Sequence, residues 1–406
     1  MHAGGNRVSE VFWVALRLGL SSFGGPIAHL GYFERTYVRQ KQWLTHEQLT
    51  GLIALCQILP GPTSSQVGFL IGQRRAGLAG AAAAWLGFTL PSALLMLGCA
   101  LWAPLIPQAP MAAVLQGLKW LTVMIVAQAV WQMARTLCPD WTRAAIAMLA
   151  ALCVLGIDRT AMPLLVLAAG AVVGAMGARG RTAPAAPPRA MSRGRHARTG
   201  AVALGVFIAL QALLLPTIWL AARPGSTPHS LLILIGLLYR TGSLVFGGGH
   251  VVLPLLHDAL VPSGWISDDQ FLAGYGAAQA VPGPLFSFAA YLGAVIAPPS
   301  AAIAWASIAL LSLFAPGLLL ALAGASLWGW FEHYPRVRAA LAGLNAAVVG
   351  LLAATLIRPV AISALHGLAD LIIVAAGFLA LQRGRIAPVI LALLSVALSL
   401  ALTMLR

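Results

Sequence analysis

The chain reads RLGLSSFGGP over residues 17–26 and RTGSLVFGGG over residues 240–249, an offset of 223. Arg17 and Phe23-Gly24-Gly25-Pro26 thus return as Arg240 and Phe246-Gly247-Gly248-Gly249. At an offset of 222, Trp43-Leu44 returns as Trp265-Ile266, Glu47-Gln48 as Asp269-Gln270, Gln57 as Gln279, and Pro60-Gly61-Pro62 as Pro282-Gly283-Pro284. One single-residue gap reconciles the two offsets. Agreement at this many turn-forming residues reads as two homologous halves.

Composition says what medium these halves occupy. Of 406 residues, 60% are hydrophobic and only 9% are charged, with a mean hydropathy of +0.88. A soluble domain carries about 25% charged residues, so a soluble fold is excluded and an all-α polytopic membrane protein is expected. The net charge of +15 reads as membrane topology and not as a nucleic-acid surface. Six arginines, Arg179, Arg181, Arg189, Arg193, Arg195 and Arg198, fall in one Pro- and Ala-rich stretch without an acid, expected to be a flexible cytoplasmic linker over 179–199. The four cysteines form no close pair, so neither a disulfide framework nor a metal site is implied. The first apolar run leads straight into glycine-rich sequence, with no small-residue cleavage site of a signal peptide.

Apolar runs lie near 76–103, 111–136, 142–157 and 160–177 in the first half, and near 300–330, 338–357, 360–381 and 387–405 in the second. A further run, 200–221, has no counterpart. An unpaired crossing inverts everything after it, so the expected organisation is a first repeat at 1–178, the linker, a connecting helix at 200–221 and an inverted second repeat at 222–406. With the linker inside, Arg74-Arg75, Arg135 with Arg143, Arg336 with Arg338, and Arg383 with Arg385 are all cytoplasmic; Arg358 is the exception. The N-terminus is then cytoplasmic and the C-terminus external. Reading 10–30 as one full span would put Arg35, Arg39 and Lys41 outside, and its mirror would put Asp258, Asp268 and Asp269 inside. Re-entrant hairpins turning at the Gly/Pro tips remove both violations and are preferred over simple spans.

Half a hairpin of ~10 helical residues is ~15 Å long and reaches the midplane of a ~30 Å core. Four tips would meet there. Pro26 and Pro62 suit the first position of a returning helix, whose free N–H groups and partial positive charge make an anion site built mostly of backbone. Thr63, Ser64, Ser65 and Ser287 add hydroxyls, and Gln57 and Gln279 either donate to an oxyanion or bond between helices. Arg17 and Arg240, six residues before their tips, either attract the substrate or snorkel to the interface. His250 follows Gly249, but its counterpart is Ile27, so any role is asymmetric; His29 is expected as a satisfied core histidine. The competing explanation for each glycine or proline motif is close packing or a kink. The chain holds only Lys41 and Lys119 as lysines, neither in a phosphate loop, and no H-E-x-x-H, so no enzyme class, cofactor or metal is called for.

The stretches LGLSSFGGPIAHLG from Leu18, QILPGPTSSQVGFLIG from Gln57, FGGGHVVLPLL from Phe246 and QAVPGPLFSFAAYLGA from Gln279 resemble the chromate ion transporter family in its long two-domain form. The resemblance implies a bacterial or archaeal plasma-membrane protein that exports chromate and confers chromate resistance, with sulfate as the competing analogue. It leaves room for a homo-oligomer. The expected binding residues are Arg17, Gly24, Gly25, Pro26, Gln57, Pro60, Gly61, Pro62, Thr63 and Ser64, with Arg240, Gly247, Gly248, Gly249, His250, Gln279, Pro282, Gly283 and Pro284. A dianion leaving a negative cytoplasm gains about 4.6 kcal/mol per 100 mV, so export needs no ATP. Another oxyanion such as sulfate stays open as the cargo. The serines after Pro62 also superficially resemble the phosphate loop of intramembrane lipid phosphatases, but no arginine stands among them and no membrane glutamate pair accompanies them.

Overall fold

A computed structural model of the chain describes residues 2–105, 107–157, 162–177, 195–221, 230–246, 249–331, 335–384 and 386–404. The first half contains α1 (His2–Ser21), α2 (Gly25–Phe33, prolonged by a π-helical stretch, Glu34–Gln40), α3 (His46–Ile58), α4 (Thr63–Trp102), α5 (Gln108–Leu137), α6 (Trp141–Gly156) and α7 (Met162–Met176). Then follow α8 (Arg195–Ala221), α9 (Leu231–Leu244), a 3-10 turn (Gly249–Val251), α10 (Val252–Leu260) and α11 (Asp268–Ala280). A second 3-10 turn (Leu285–Ser287) leads into α12 (Phe288–Ile296) and α13 (Ala302–Phe331), and the chain ends with α14 (Pro335–Thr355), α15 (Ile362–Ala364), α16 (Leu368–Gln382) and α17 (Pro388–Met404). The protein is an all-α polytopic membrane protein. Among the described residues, five helices are long and apolar enough to cross a bilayer.

Both halves pass through the same series. Helices flank a glycine break, two more flank a Pro-Gly-Pro break, and a long proline-containing helix follows. Matched capping residues start the corresponding entering helices. Thr45 Oγ1 accepts the Gln48 N–H at 3.2 Å while Gln48 Oε1 accepts the Thr45 N–H at 3.0 Å, and Ser267 Oγ accepts the Gln270 N–H at 3.3 Å. The repeated Glu47-Gln48 and Asp269-Gln270 pairs are therefore first-turn residues that complement the helix N-terminus. Within α4, Ala76 (φ −144°) and Gly77 (φ 67°) leave helical geometry, so 63–75 and 78–102 fold back as a hairpin with Gly72 against Gly80.

Three expectations need correcting. The arms beside the breaks are unequal: α2, α10 and α12 hold nine α-helical residues each, close to the expected ten, before their π or 3-10 extensions, whereas α3, α9 and α11 hold 13 or 14 and α1, with 20, is ~30 Å long. The helix expected from residue 200 begins at Arg195, inside the stretch expected as linker, since Arg and Ala favour helix; 179–194 lie outside the described residues. The run expected at 360–381 is broken, because Pro359 withdraws an N–H and holds Arg358 extended (φ −134°, ψ 118°), and apart from the single turn α15 the helix resumes only at Leu368.

Close helix approach packs each half internally. Gly19 on α1 lies under the Phe88 carbonyl of α4, where an added Cβ would be 2.6 Å from the oxygen, and Gly242 on α9 lies in the same way under Leu313 of α13. The long helices are exchanged between halves: α5 packs against α16 and α17, while α14 packs against α6 and α7. Each half thus covers the last hairpin of the other.

Candidate functional site at the crossed breaks

Each Pro-Gly-Pro break is tied to the glycine break of the opposite half. The Gly61 N–H donates to the Val245 carbonyl at 2.7 Å, and the Gly283 N–H donates to the Ser22 carbonyl at 2.9 Å. Val245 and Ser22 occupy equivalent positions, one residue before Phe246-Gly247 and Phe23-Gly24, so the two bonds are mirror copies. Glycine is required at both donors. Gly61 (φ +123°) and Gly283 (φ +103°) are left-handed, and a Cβ would stand 2.8 Å from the Gly317 Cα in one and 2.9 Å from Ser92 Oγ in the other.

Buried side chains brace these crossings. Gln66 Nε2 donates to the Pro60 and Gly317 carbonyls at 2.8 and 2.9 Å, bridging the halves. His29 Nε2 lies 3.2 Å from the Ser22 carbonyl, which can only accept, so in the neutral ring that nitrogen carries the hydrogen. Nδ1 then accepts from Ser64 Oγ at 3.2 Å. His29 is therefore a satisfied core histidine, as expected. Ser287 Oγ donates to the Pro284 carbonyl of its own turn at 2.8 Å, which commits a hydroxyl expected to be a free donor. Ser22 Oγ and Ser65 Oγ are buried without a partner.

The glycine break of the first half faces His250 of the second. Gly24 (φ +97°) and Gly25 (φ +77°) reverse the chain into α2, and Pro26 falls in its first two positions while Pro62 lies one residue before α4, each close to its expected place. Tyr275 Oη and Gln279 Nε2 both point at His250 Nδ1, at 3.2 and 3.4 Å. With Nδ1 accepting, the ring hydrogen sits on Nε2, which stands 3.8 Å from where a Gly25 Cβ would be. An N–H of His250 and the open first-turn amides of α2 thus share the space left by a missing side chain.

The remaining expected residues divide. Pro60, Pro62, Thr63, Ser64, Gly249 and Pro284 are buried at the crossings, and Pro282, Gly283 and Gln279 are half-buried. Gln57 is exposed at the end of α3. Arg17 lies on an exposed stripe of α1 with Trp13, Leu20 and Ser21, and Arg240 is half-buried on α9. Gly247 and Gly248 lie outside the described residues. Nothing in the glycine and proline pattern points to Lys119, yet its ammonium is buried on α5 and pairs with Asp269 at the start of α11, with the Ser363 carbonyl at 3.5 Å. A lone lysine inside an apolar run was the available signal.

The sequence profile of the chromate transporter family matches residues 9–175 and 232–400, which takes in both halves and both sets of breaks. This chain belongs to the chromate transporter family. It is a transporter and not an enzyme. It is similar to a chromate transport protein of Pseudomonas aeruginosa, 29% identical over 352 residues that make up 86% of this chain and 80% of the relative. A chromate transport protein of Cupriavidus metallidurans is 27% identical over 82% of this chain and 78% of its own length, and an uncharacterised transporter of Methanocaldococcus jannaschii is 24% identical over 86% and 83%. No solved structure matches the chain.

Proposed function

We propose that this transporter exports chromate from a bacterial cell across the plasma membrane and so confers chromate resistance, without ATP, by alternating access to one anion site at the crossed breaks. The observation that carries the reading is the reciprocal pair of hydrogen bonds, Gly61 to Val245 and Gly283 to Ser22, which brings all four breaks to one boundary between two homologous halves. Broken helices at a repeat boundary are where transporters present helix N-termini to anions. The site consists of the Gly24-Gly25-Pro26 turn, the first amides of α2 and the His250 Nε2–H, with Gln279 orienting the imidazole. The remaining Pro-Gly-Pro residues, Thr63, Ser64 and Gly249 hold its shape, Gln57, Arg17 and Arg240 act on the anion's approach, and Gly247 and Gly248 are assigned to the site by the repeat alone. We assign the halves to 1–178 and 222–406, inverted about the connecting helix, with the N-terminus and linker cytoplasmic and the C-terminus external.

The charge arithmetic supports export. A dianion moving out gains about 4.6 kcal/mol per 100 mV, and acidic residues that protons could ride on for uptake are nearly absent from the apolar runs. Labelled chromate and sulfate flux, measured in membrane vesicles of both orientations, tests the reading. Chromate should enter inside-out vesicles driven by an inside-positive potential and be lost with Gly25→Leu. Preference for sulfate would change the cargo, and potential-independent flux would remove the energetic argument.

A further inference from the structure

A row of polar side chains runs along α4 on the face it turns to the second half. Trp85, Thr89 and Ser92 follow one another at helical spacing and so share that face. The Trp85 ring makes a T-shaped contact with Phe314 of α13, centroids 5.5 Å apart, and Ser92 Oγ lies 2.9 Å from where a Gly283 Cβ would be. Gly283 in turn donates to the Ser22 carbonyl, which brings Ser22 to the Ser92 end of the row. Trp85, Thr89 and Ser22 are buried, and among the described residues Trp85 Nε1, Thr89 Oγ1 and Ser22 Oγ find no hydrogen-bond partner. The indole N–H can only donate, and a helical threonine ordinarily turns its hydroxyl back to a carbonyl of the preceding turn, which Thr89 does not.

The second half shows that the fold does not require these donors. An offset of 225 pairs Phe88 with Leu313, whose carbonyls cover Gly19 and Gly242 alike, and Pro91 with Pro316. The same offset pairs Trp85, Thr89 and Ser92 with Leu310, Phe314 and Gly317, while Ser22 has Val245 as its counterpart. Gly317 meets Gly61 as Ser92 meets Gly283, so the pairing holds in three dimensions. One side of the boundary is thus lined by donors and the other, in the same backbone frame, by residues without them. A buried donor left unpaired costs stability that an apolar side chain of the same shape does not. A polar row where apolar residues suffice calls for a partner from outside the chain.

We propose that Trp85, Thr89, Ser92 and Ser22 form a binding row for the transported oxyanion, beginning two residues before Gly24, sealed in this conformation and opened when the halves part. It rests on the reading of the chain as an oxyanion transporter and adds a route to that reading. The donors are neutral, so they take the oxygens of a tetrahedral dianion by single hydrogen bonds and release it more readily than a fixed counter-charge would. Pro91 lies between Thr89 and Ser92, where its missing N–H gives α4 a place to bend. Phe314 closes over Trp85 from the apolar side.

The test compares purified full-length wild type with Thr89→Val, which keeps the shape and removes the hydroxyl, with S22A/T89V and with Gly25→Leu. Thermal unfolding is measured with and without sulfate or chromate, and flux of both anions is measured in proteoliposomes. Thr89→Val and S22A/T89V should unfold at or above the wild-type temperature, since each removes an unpaired polar group, yet carry chromate at least ~10-fold more slowly. Wild-type flux in both variants, beside lost flux in Gly25→Leu, overturns the row and leaves the transport reading standing. Unfolding well below wild type also overturns it, because the hydroxyls would then serve the folded state. Lost flux in Thr89→Val beside normal flux in Gly25→Leu keeps the row and moves the main site off the crossed breaks. A wild type that carries neither anion sinks the transport reading; the row then stands if sulfate raises the unfolding temperature of wild type and not of Thr89→Val, and falls if it does not.

Discussion

The two halves carry the same breaks, but only one of them is covered. In the second half α11 is buried along Phe271–Gly276 by α5 and α17, Gly249 is buried and Gln279 is half-buried. α5 grips it at three levels: Lys119 pairs with Asp269, Thr122 Oγ1 contacts the Leu272 carbonyl at 3.2 Å, and Gly276 sits against the Leu118 carbonyl. In the first half Gln57, the counterpart of Gln279, is exposed, and among the described residues α14 makes no comparable contact with α3. The motifs are therefore symmetric while the helices around them are not. The cover over the second-half break comes from α5 and α17, which a reading of the motifs alone would miss.

The most damaging way to test the comparison is at the crossings. Gly61→Leu combines a left-handed φ with a side chain aimed at Gly317 and Gln66, strain of about 3 kcal/mol or more, and should abolish the folded protein as judged by size-exclusion profile. Gly283→Leu should do the same, and a folded Gly61→Leu protein would show that the mirrored hydrogen bonds do not join the halves. Gly25→Leu has room, 3.8 Å short of His250 Nε2, so it should fold with a penalty of about 1–2 kcal/mol yet lose chromate flux ~100-fold. Normal flux from that variant would move the site elsewhere.

A smaller effect should separate the two partners of the clamp. Lys119 is 9% exposed and Asp269 61%, so removing each leaves a different orphan. Asp269→Asn strands a buried ammonium and should lower stability by about 3 kcal/mol in thermal unfolding, whereas Lys119→Met leaves a carboxylate that water can reach and should cost less than about 1 kcal/mol. Equal losses would mean that the clamp is not anchored on the buried side. Smallest of all, a cysteine at Gln57 should react with a soluble maleimide ~10-fold faster than one at Gln279 in the purified protein. Equal rates would erase the difference in exposure from which the comparison starts.

Much of the architecture was legible before any coordinates, for particular reasons. Glycine and proline act locally: clustered as Gly24-Gly25 and the two Pro-Gly-Pro segments, with left-handed glycines, they break a helix where single ones do not, so the breaks sit where the repeat puts them. Capping is equally local, and Thr45 and Ser267 start their helices within three residues. His29 was expected as a satisfied histidine and is one. The lengths of the arms were less legible, because a break stops a helix at one end only and the other end depends on caps and packing.

What the sequence by itself determined is the medium, the helical class, the two halves and the positions of the breaks, since composition and backbone propensity need no knowledge of distant neighbours. Only the tertiary structure decided that each Pro-Gly-Pro meets the glycine break of the other half, that Gln279 and Tyr275 turn the His250 Nε2–H toward Gly25, and that α5 closes over α11 while α3 stays open. Those facts join residues separated by as many as 261 positions, Ser22 and Gly283. They depend on which carbonyl, ring nitrogen or ammonium is left unsatisfied once the helices have packed, and a buried polar group takes whatever partner the packing brings to it.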